Sequence, residues 1–304
     1  MKTEHLPVNR TPDLLKYAEE MRKLGRKEET IRDNTQRFQR IAKICNDIND
    51  PEQFKTALSQ IKWSNSTKST TASSYTFYLK LLGKTWTPPR YIIQEKIYFI
   101  PTEQELDQLI SAAGRTIAPL LQLLKETGMR IGEAYNIEWK DIDQEHKTVS
   151  VNHPEKGSLP RILRISDRLK GMLNNIPKDT NAPFSRTSKK KGLMITFQQM
   201  RERTAKKLNN PRLKQIHFHT FRHWKATTDY YKLRDGTIIR HILGHRTATM
   251  TDRYIHIVET LYHDENGEWT SKAIRTKEEA MQLLNDGWTK ADEIDGFHIY
   301  RKRK

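Results

Sequence analysis

Cysteine is almost missing from this sequence: Cys45 stands alone among 304 residues. A lone thiol excludes an internal disulfide and any cysteine-based metal cluster, because both need partners. Cys45 lies in the apolar run Ile41-Ala42-Lys43-Ile44-Cys45 and reads as a small buried hydrophobe. Glycine (13) and proline (12) are few and scattered, which excludes collagen-like and Pro/Gly low-complexity chains. No run approaches the ~20 apolar residues a membrane-spanning helix needs. Met1-Lys2-Thr3-Glu4-His5 leads into no apolar stretch of the secretory kind, so a cytoplasmic location without a membrane partner is expected. Acidic residues are the scarcer charge: 37 Asp plus Glu face 54 Lys plus Arg, for a formal charge of +17. Such an excess points to a polyanionic partner, nucleic acid first, because released counterions drive that binding.

What is present is periodicity along nearly the whole chain, which argues for folding rather than disorder. Thr11-Pro12-Asp13 reads as a cap followed by proline in the first turn, and Leu14, Leu15, Ala18, Met21 and Leu24 give a helical stripe ended by Gly25. A second stripe runs through Ile31, Phe38, Ile41, Ile44 and Cys45. A third opens at Asp50-Pro51 with Phe54, Leu58 and Ile61, and a fourth over 66–82 carries Tyr75, Tyr78, Leu79 and Leu82. Residues 1–87 are therefore expected to form a helical bundle, with cations such as Arg22, Arg26, Arg37 and Arg40 on its polar faces and hydroxyls over 64–74. Those groups suit phosphate contact, and equally a solvated face. Thr87-Pro88-Pro89-Arg90 cannot continue a helix, which places a linker over 88–97.

Beyond it, Thr102-Glu103-Gln104-Glu105 reads as a capping box opening a helix to Gly114, and the apolar run 118–124 as a buried helix ended by Gly128. Segments 148–152 and 161–165 look like two strands joined by a turn over 153–160. Helical patterns cover 169–174, 196–208, 219–231, 237–243 and 247–258. From Leu261 the pattern becomes extended, helical, then extended, a β-α-β tail over 261–304. The expected fold class is mainly α with a small β-hairpin.

Three separated segments hold the chemistry. Arg130, in Thr127-Gly128-Met129-Arg130-Ile131-Gly132-Glu133, follows a helix-ending glycine, where the backbone can aim its guanidinium, and Glu133 can buttress it. Lys156 lies at the hairpin tip, in Lys156-Gly157-Ser158-Leu159-Pro160-Arg161. The third segment holds His219-Thr220-Phe221-Arg222, Leu243-Gly244-His245 and Tyr254, and six of the 11 histidines, at 217, 219, 223, 241, 245 and 256. So many imidazoles invite a metal reading, but no carboxylate or cysteine completes a ligand set, so neither metal nor other cofactor is expected.

The order Arg, hairpin Lys, His-x-x-Arg, Leu-Gly-His and Tyr resembles the tyrosine recombinases, the family of phage integrases and Xer-type recombinases, over roughly residues 98–260. The intervals agree as well: 23 positions from Arg222 to His245 and nine from His245 to Tyr254. The resemblance implies a catalytic domain over 98–260, a core-DNA-binding domain over 1–87, and a clamp on duplex DNA with its hinge near Pro88. It implies double-stranded DNA with specific attachment sites as partner, and a homo-tetramer on two such sites. It also implies roles: Tyr254 as nucleophile, Arg130 and Arg222 clamping the phosphate with His245 as a further donor, His219 assisting loss of the tyrosine proton, and Lys156 protonating the departing 5′-oxygen. These types suit the chemistry, since displacement at a phosphodiester gathers negative charge on the non-bridging oxygens, where preorganised cations lower its energy. Tyr230 and Tyr231 fall inside the His219 helix and Tyr262 lies at the wrong distance.

The sequence departs from the family in its tail, because 50 residues follow Tyr254; the tail resembles extensions of some archaeal integrases. An integrase of a mobile element is the expected role. The alternatives are an Xer-type dimer resolvase, a type IB topoisomerase-like enzyme and a non-catalytic DNA-binding relative.

Overall fold

The computed structural model describes residues 13–94, 97–184, 190–247, 251, 252, 254, 257, 258, 269–294 and 296–303. The chain divides into two compact units, Met1–Lys96 and Ile97–Lys304. Among the described residues no helix is long and apolar enough to cross a membrane.

The first unit holds α1 (Leu14–Lys23), α2 (Glu28–Ala42), α3 (Pro51–Gln60) and α4 (Asn65–Leu81). Side-chain caps start three of them: Asp13 for α1, Asp50 with Pro51 behind it for α3, and Ser64 for α4, each satisfying an amide that the helix leaves orphaned. Thr11 and Pro12 lie outside the described residues. The core is aromatic, with Phe54 stacked on Tyr75 at 3.5 Å, Phe38 edge-on to both, and Tyr17 edge-on to Phe38 and Tyr78. Its phenols are satisfied: Tyr75 donates to the Ile48 carbonyl and Tyr78 to Asn49 Oδ1. The expected stripe of α1 needs correction, because Leu15 and Leu24 are exposed while Tyr17 is fully buried. Positions 14, 17, 18 and 21 share one face at helical spacing; 15 points off it and Leu24 falls past the last turn. Ile44 is exposed for the same reason, lying beyond the end of α2.

In the second unit, α5 (Glu103–Ala112) opens with the Thr102–Glu105 capping box. The central α6 (Ile117–Thr127) buries Leu120, Leu121, Leu123 and Leu124 and stops at Gly128, which takes φ 64°. Then come α7 (Ile131–Tyr135), β1 (Ile142–Asp143), β2 (Thr148–Val151) and β3 (Arg161–Arg164), an antiparallel sheet in the order β1-β2-β3. The two-residue β1 is too short to leave a pattern in the sequence. Helices α8 (Asp167–Asn174), α9 (Lys190–Lys207), α10 (Phe218–Leu233) and α11 (Gly236–Leu243) complete the frame. α9 starts six residues before the expected 196, since Leu193 and Phe197, one turn apart, both reach the core. Residues 251, 252, 254, 257 and 258 are helical.

The tail has one strand more than the expected β-α-β. β4 (Trp269–Ile274) leads through the helix Lys277–Asn285 to β5 (Thr289–Ile294) and β6 (Phe297–Arg303), antiparallel in the order β4-β6-β5. β5 reads Thr-Lys-Ala-Asp-Glu-Ile and carries a bulge between Lys290 and Asp292, charged and irregular as exposed edge strands are. Leu283, Trp288 and Tyr300 form a small core of its own. The molecule is thus mainly helical with two small three-stranded sheets.

Candidate active site

The site is assembled from helix ends. Past the left-handed Gly128, the chain turns so that Arg130 caps α7. Its amide donates to Glu133 Oε2 (3.0 Å), and its guanidinium reaches Glu133 Oε1 (3.3 Å) and Ser158 Oγ. Glu133 has a fully buried side chain and takes a second arginine, Arg161 on β3, at 2.7 Å. It also accepts the backbone N–H of Glu155 at 3.2 Å. One carboxylate therefore ties α7, the hairpin tip and the far arm of the hairpin together. Burial opposes its ionisation, but the hydrogen bonds and charges of Arg161 and Arg130 outweigh that and hold it below the usual carboxylate range.

Lys156 sits exposed at the hairpin tip with φ 52°. The hairpin is tied back to the end of α11, since Leu159 N–H donates to the Gly244 carbonyl and Arg161 Nε to that of Ile242. Arg246 Nε donates to the Gly157 carbonyl.

Arg222, on α10, is 1% exposed. Its Nη1 donates to the Gly128 carbonyl and its Nη2 to the Leu243 carbonyl, both at 2.8 Å. It thereby joins the carbonyl ends of α6 and α11, where helix dipoles favour a cation. Burial, then the charge of Arg130, push it down to about 10, so it stays charged at neutral pH.

His219, His223 and His245 are neutral at that pH. His245 follows the left-handed Gly244, is buried, and shares a 3.0 Å hydrogen bond between Nδ1 and Thr251 Oγ1. Burial, then Arg222 and Arg130, push it down to about 4. His219 is an exposed residue, yet the protein packed around its ring, then Arg222, Arg130 and Lys156, push it to about 4 as well. The charge of Lys156 thus reaches the same site.

Tyr254 is 4% exposed and packs on Ala226, Ile239 and Leu243. Its ring lies parallel to that of His245, centroids 6.5 Å apart. Its hydroxyl meets His223 Nδ1 at 3.0 Å. The ring of His223 is covered by Tyr98, stacked at 3.8 Å and 15°. His219, the helper expected from the sequence, meets His223 edge-on at 4.7 Å.

The second unit therefore gathers Arg130, His219, Arg222, His245 and Tyr254, with Lys156 exposed on the adjoining hairpin tip, together with four residues that the spacing argument did not assign: His223, Tyr98, Arg161 and Ser158. His223 carried a signal, being four residues and so one helical turn after His219. Tyr98 and Arg161 carried none, since their contacts are distant in sequence. Among the described residues no three His, Cys, Asp or Glu side chains gather as a metal-holding group. The arrangement offers two guanidiniums and neutral imidazoles beside a phenol, which suits transfer of a phosphoryl centre to that phenol.

Comparison with known proteins gives a concordant picture. The family described as phage integrase matches residues 101–260, more than half of the chain. A tyrosine recombinase XerA of Saccharolobus solfataricus is 26% identical over 182 residues, 60% of this chain and only 60% of that protein's length. A probable integrase/recombinase of Methanocaldococcus jannaschii is 22% identical over 302 residues, covering 86% of this chain and 90% of its own. Among solved structures, the Tn1549 transposon integrase in complex with transposon right-end DNA shares the fold, with a TM-score of 0.61 over 90% of this chain and 98% of that one at 15% identity.

Proposed function

The chain belongs to the phage integrase family, and from that premise we propose that it is a tyrosine-type site-specific recombinase that cuts and rejoins double-stranded DNA through a 3′-phosphotyrosine. The observation that carries this reading is the seat of Tyr254: one chain supplies the phenol, the buried Arg222 with its two carbonyl partners, and His245 parallel to the phenol.

In this reading the scissile phosphate sits between Arg130 and Arg222, whose planar forks match two phosphate oxygens each. His245, with Nδ1 engaged by Thr251, keeps Nε2 for a third bond. Tyr254 Oη attacks phosphorus as His219 assists loss of its proton, and Lys156 at the exposed hairpin tip gives a proton to the leaving 5′-oxygen. The phosphotyrosine conserves the energy of the broken linkage, and the reverse attack by a 5′-hydroxyl rejoins the strand. The first unit, with its cationic helix faces, is the core-DNA-binding domain, and four copies assemble on two DNA sites. Integration or excision of a mobile element is the role favoured, supported by the 50 residues that follow Tyr254.

The test uses a pool of nicked duplexes with randomised flanks, from which wild type captures its own targets as SDS-resistant adducts. The expected result is adducts enriched in one sequence family and lost in Tyr254→Phe. Equal adducts in the Phe variant would refute the nucleophile; enrichment of bound DNA without any adduct would leave the non-catalytic reading standing instead.

A further inference from the structure

The mechanism above gives no part to His223 and Tyr98, although His223 meets the phenol hydroxyl and the Tyr98 ring stands 6.2 Å from that of Tyr254. His223 projects from α10 one turn after His219, its Nδ1 3.0 Å from the Tyr254 hydroxyl. Tyr98 comes from the extended segment just inside the second unit and covers the imidazole face at 3.8 Å. The rings of Tyr98 and Tyr254 stand 6.2 Å apart, so the three aromatic residues form one packed group that includes Tyr230 and Ile239 at its base.

We propose that His223, clamped by Tyr98, is a positioning residue that holds the Tyr254 hydroxyl by accepting its hydrogen bond and so aims Oη for attack; as Oη bonds to phosphorus the proton leaves this hydrogen bond, with His219, edge-on to His223, assisting its departure. This rests on the reading of Tyr254 as nucleophile. A phenol on a single helical side chain keeps two soft torsions, and an acceptor fixed on a neighbouring helix removes most of that freedom before DNA arrives, which is how positioning lowers a barrier. The acceptor must be neutral to do so. Burial, then the neighbouring His219 and the charge of Arg222, push His223 down to about 3, so the ring keeps one unprotonated nitrogen at neutral pH, and the proposal requires the tautomer in which that nitrogen is Nδ1. The stack on Tyr98 limits rotation of the imidazole, which would otherwise swing Nδ1 away from Oη.

The geometry also selects the informative substitutions. Asn places its amide oxygen near the position of a histidine Nδ1, so His223→Asn keeps the acceptor, whereas His223→Leu keeps bulk and removes it. Tyr98→Phe keeps the stacking ring and Tyr98→Leu does not. With a captured nicked duplex, single-turnover adduct formation is expected to fall by about 10- to 100-fold in His223→Leu and by about tenfold in Tyr98→Leu. His223→Asn and Tyr98→Phe should stay within about fivefold of wild type. DNA affinity, measured separately, should be unchanged in all four. A fold-stabilising role alone would not separate Leu from Asn in rate at equal affinity.

A second readout needs no DNA. In protein labelled with 15N-histidine, Nδ1 of His223 should carry the signature of a neutral acceptor, and Tyr254→Phe should shift it. No shift would overturn the contact whatever the enzyme does. Adduct formation in His223→Leu as fast as in wild type, or faster, would overturn the positioning role while leaving the recombinase reading intact. Absence of any adduct in wild type would bring down both.

Discussion

At the residue scale the site is defined by which groups carry charge. Arg222 stays cationic although nearly fully buried, because two helix-end carbonyls take its N–H groups, whereas His219, His223 and His245 are held neutral, at about 4, 3 and 4. Against an ordinary histidine near 6.5, this has a consequence for stability. Between about pH 6.5 and 4 the unfolded chain binds protons that the native imidazoles refuse, so unfolding takes up protons and stability falls as pH falls. Above about pH 6.5 both states are neutral and the effect vanishes. The depressed carboxylates, such as Glu133 and Glu105, act in the same direction but only near and below their ordinary range, which leaves pH 5–6.5 to the histidines. The melting temperature should therefore drop steadily from pH 7 to pH 5, and His223→Leu should flatten that slope by about one proton's worth. A melting temperature flat across that interval in wild type would contradict neutral imidazoles at the site.

At the element scale the site depends on helices that stop at the right place. Gly128 and Gly244 end α6 and α11 in the left-handed region, at φ 64° and 69°, and both endings were legible in the sequence, as were the hairpin and the order of the reactive residues. Periodicity and helix punctuation are local, and local signals survive in one dimension. The bonds that hold the site together are not local. Arg161 meets Glu133 28 positions away and Tyr98 meets His223 across most of the unit, and nothing near either residue announces its partner. β5 escaped because its charged, bulged edge lacks alternation, and the burial of Tyr17 escaped because α1 carries more leucines than its inner face can take. Gly244 is where both kinds of information meet. Besides its φ, a Cβ there would stand 2.9 Å from Arg161 Nη1 and 3.0 Å from the Leu159 carbonyl, a backbone atom that cannot swing aside. Gly244→Ala should cost roughly 1–3 kcal/mol of stability through the strained backbone. It should also slow adduct formation beyond what stability explains, because the displaced arm carries Lys156 and the Arg161 link to Glu133. Denaturant unfolding and single-turnover cleavage at 10 °C check the two effects; normal cleavage in a destabilised Gly244→Ala would separate the hairpin from the chemistry.

At the scale of the whole molecule the excess of 54 basic over 37 acidic residues can be set against the buried charge of Arg222, to which the proposed mechanism gives the phosphate. Among the described residues most of these cations are on the surface, where salt screens them over about 8–10 Å at physiological ionic strength; Arg222, at 1% exposure, is shielded from that screening. Binding and catalysis should then respond differently to salt. If the partner is duplex DNA and the chain neutralises about 6–10 phosphates, affinity should fall roughly 10³- to 10⁵-fold between 50 and 200 mM salt, with a linear log–log plot. The rate of adduct formation within DNA already bound should change little over the same interval, because the guanidinium that the proposed mechanism places on the phosphate is inside the protein. Titrating Kd against salt and following single-turnover cleavage under saturating protein give the two quantities independently. A log–log slope shallower than about −2 would mean that the surface charge serves some other purpose than gripping duplex DNA, and a cleavage rate that fell in step with affinity would mean that the phosphate is held by exposed cations rather than by Arg222.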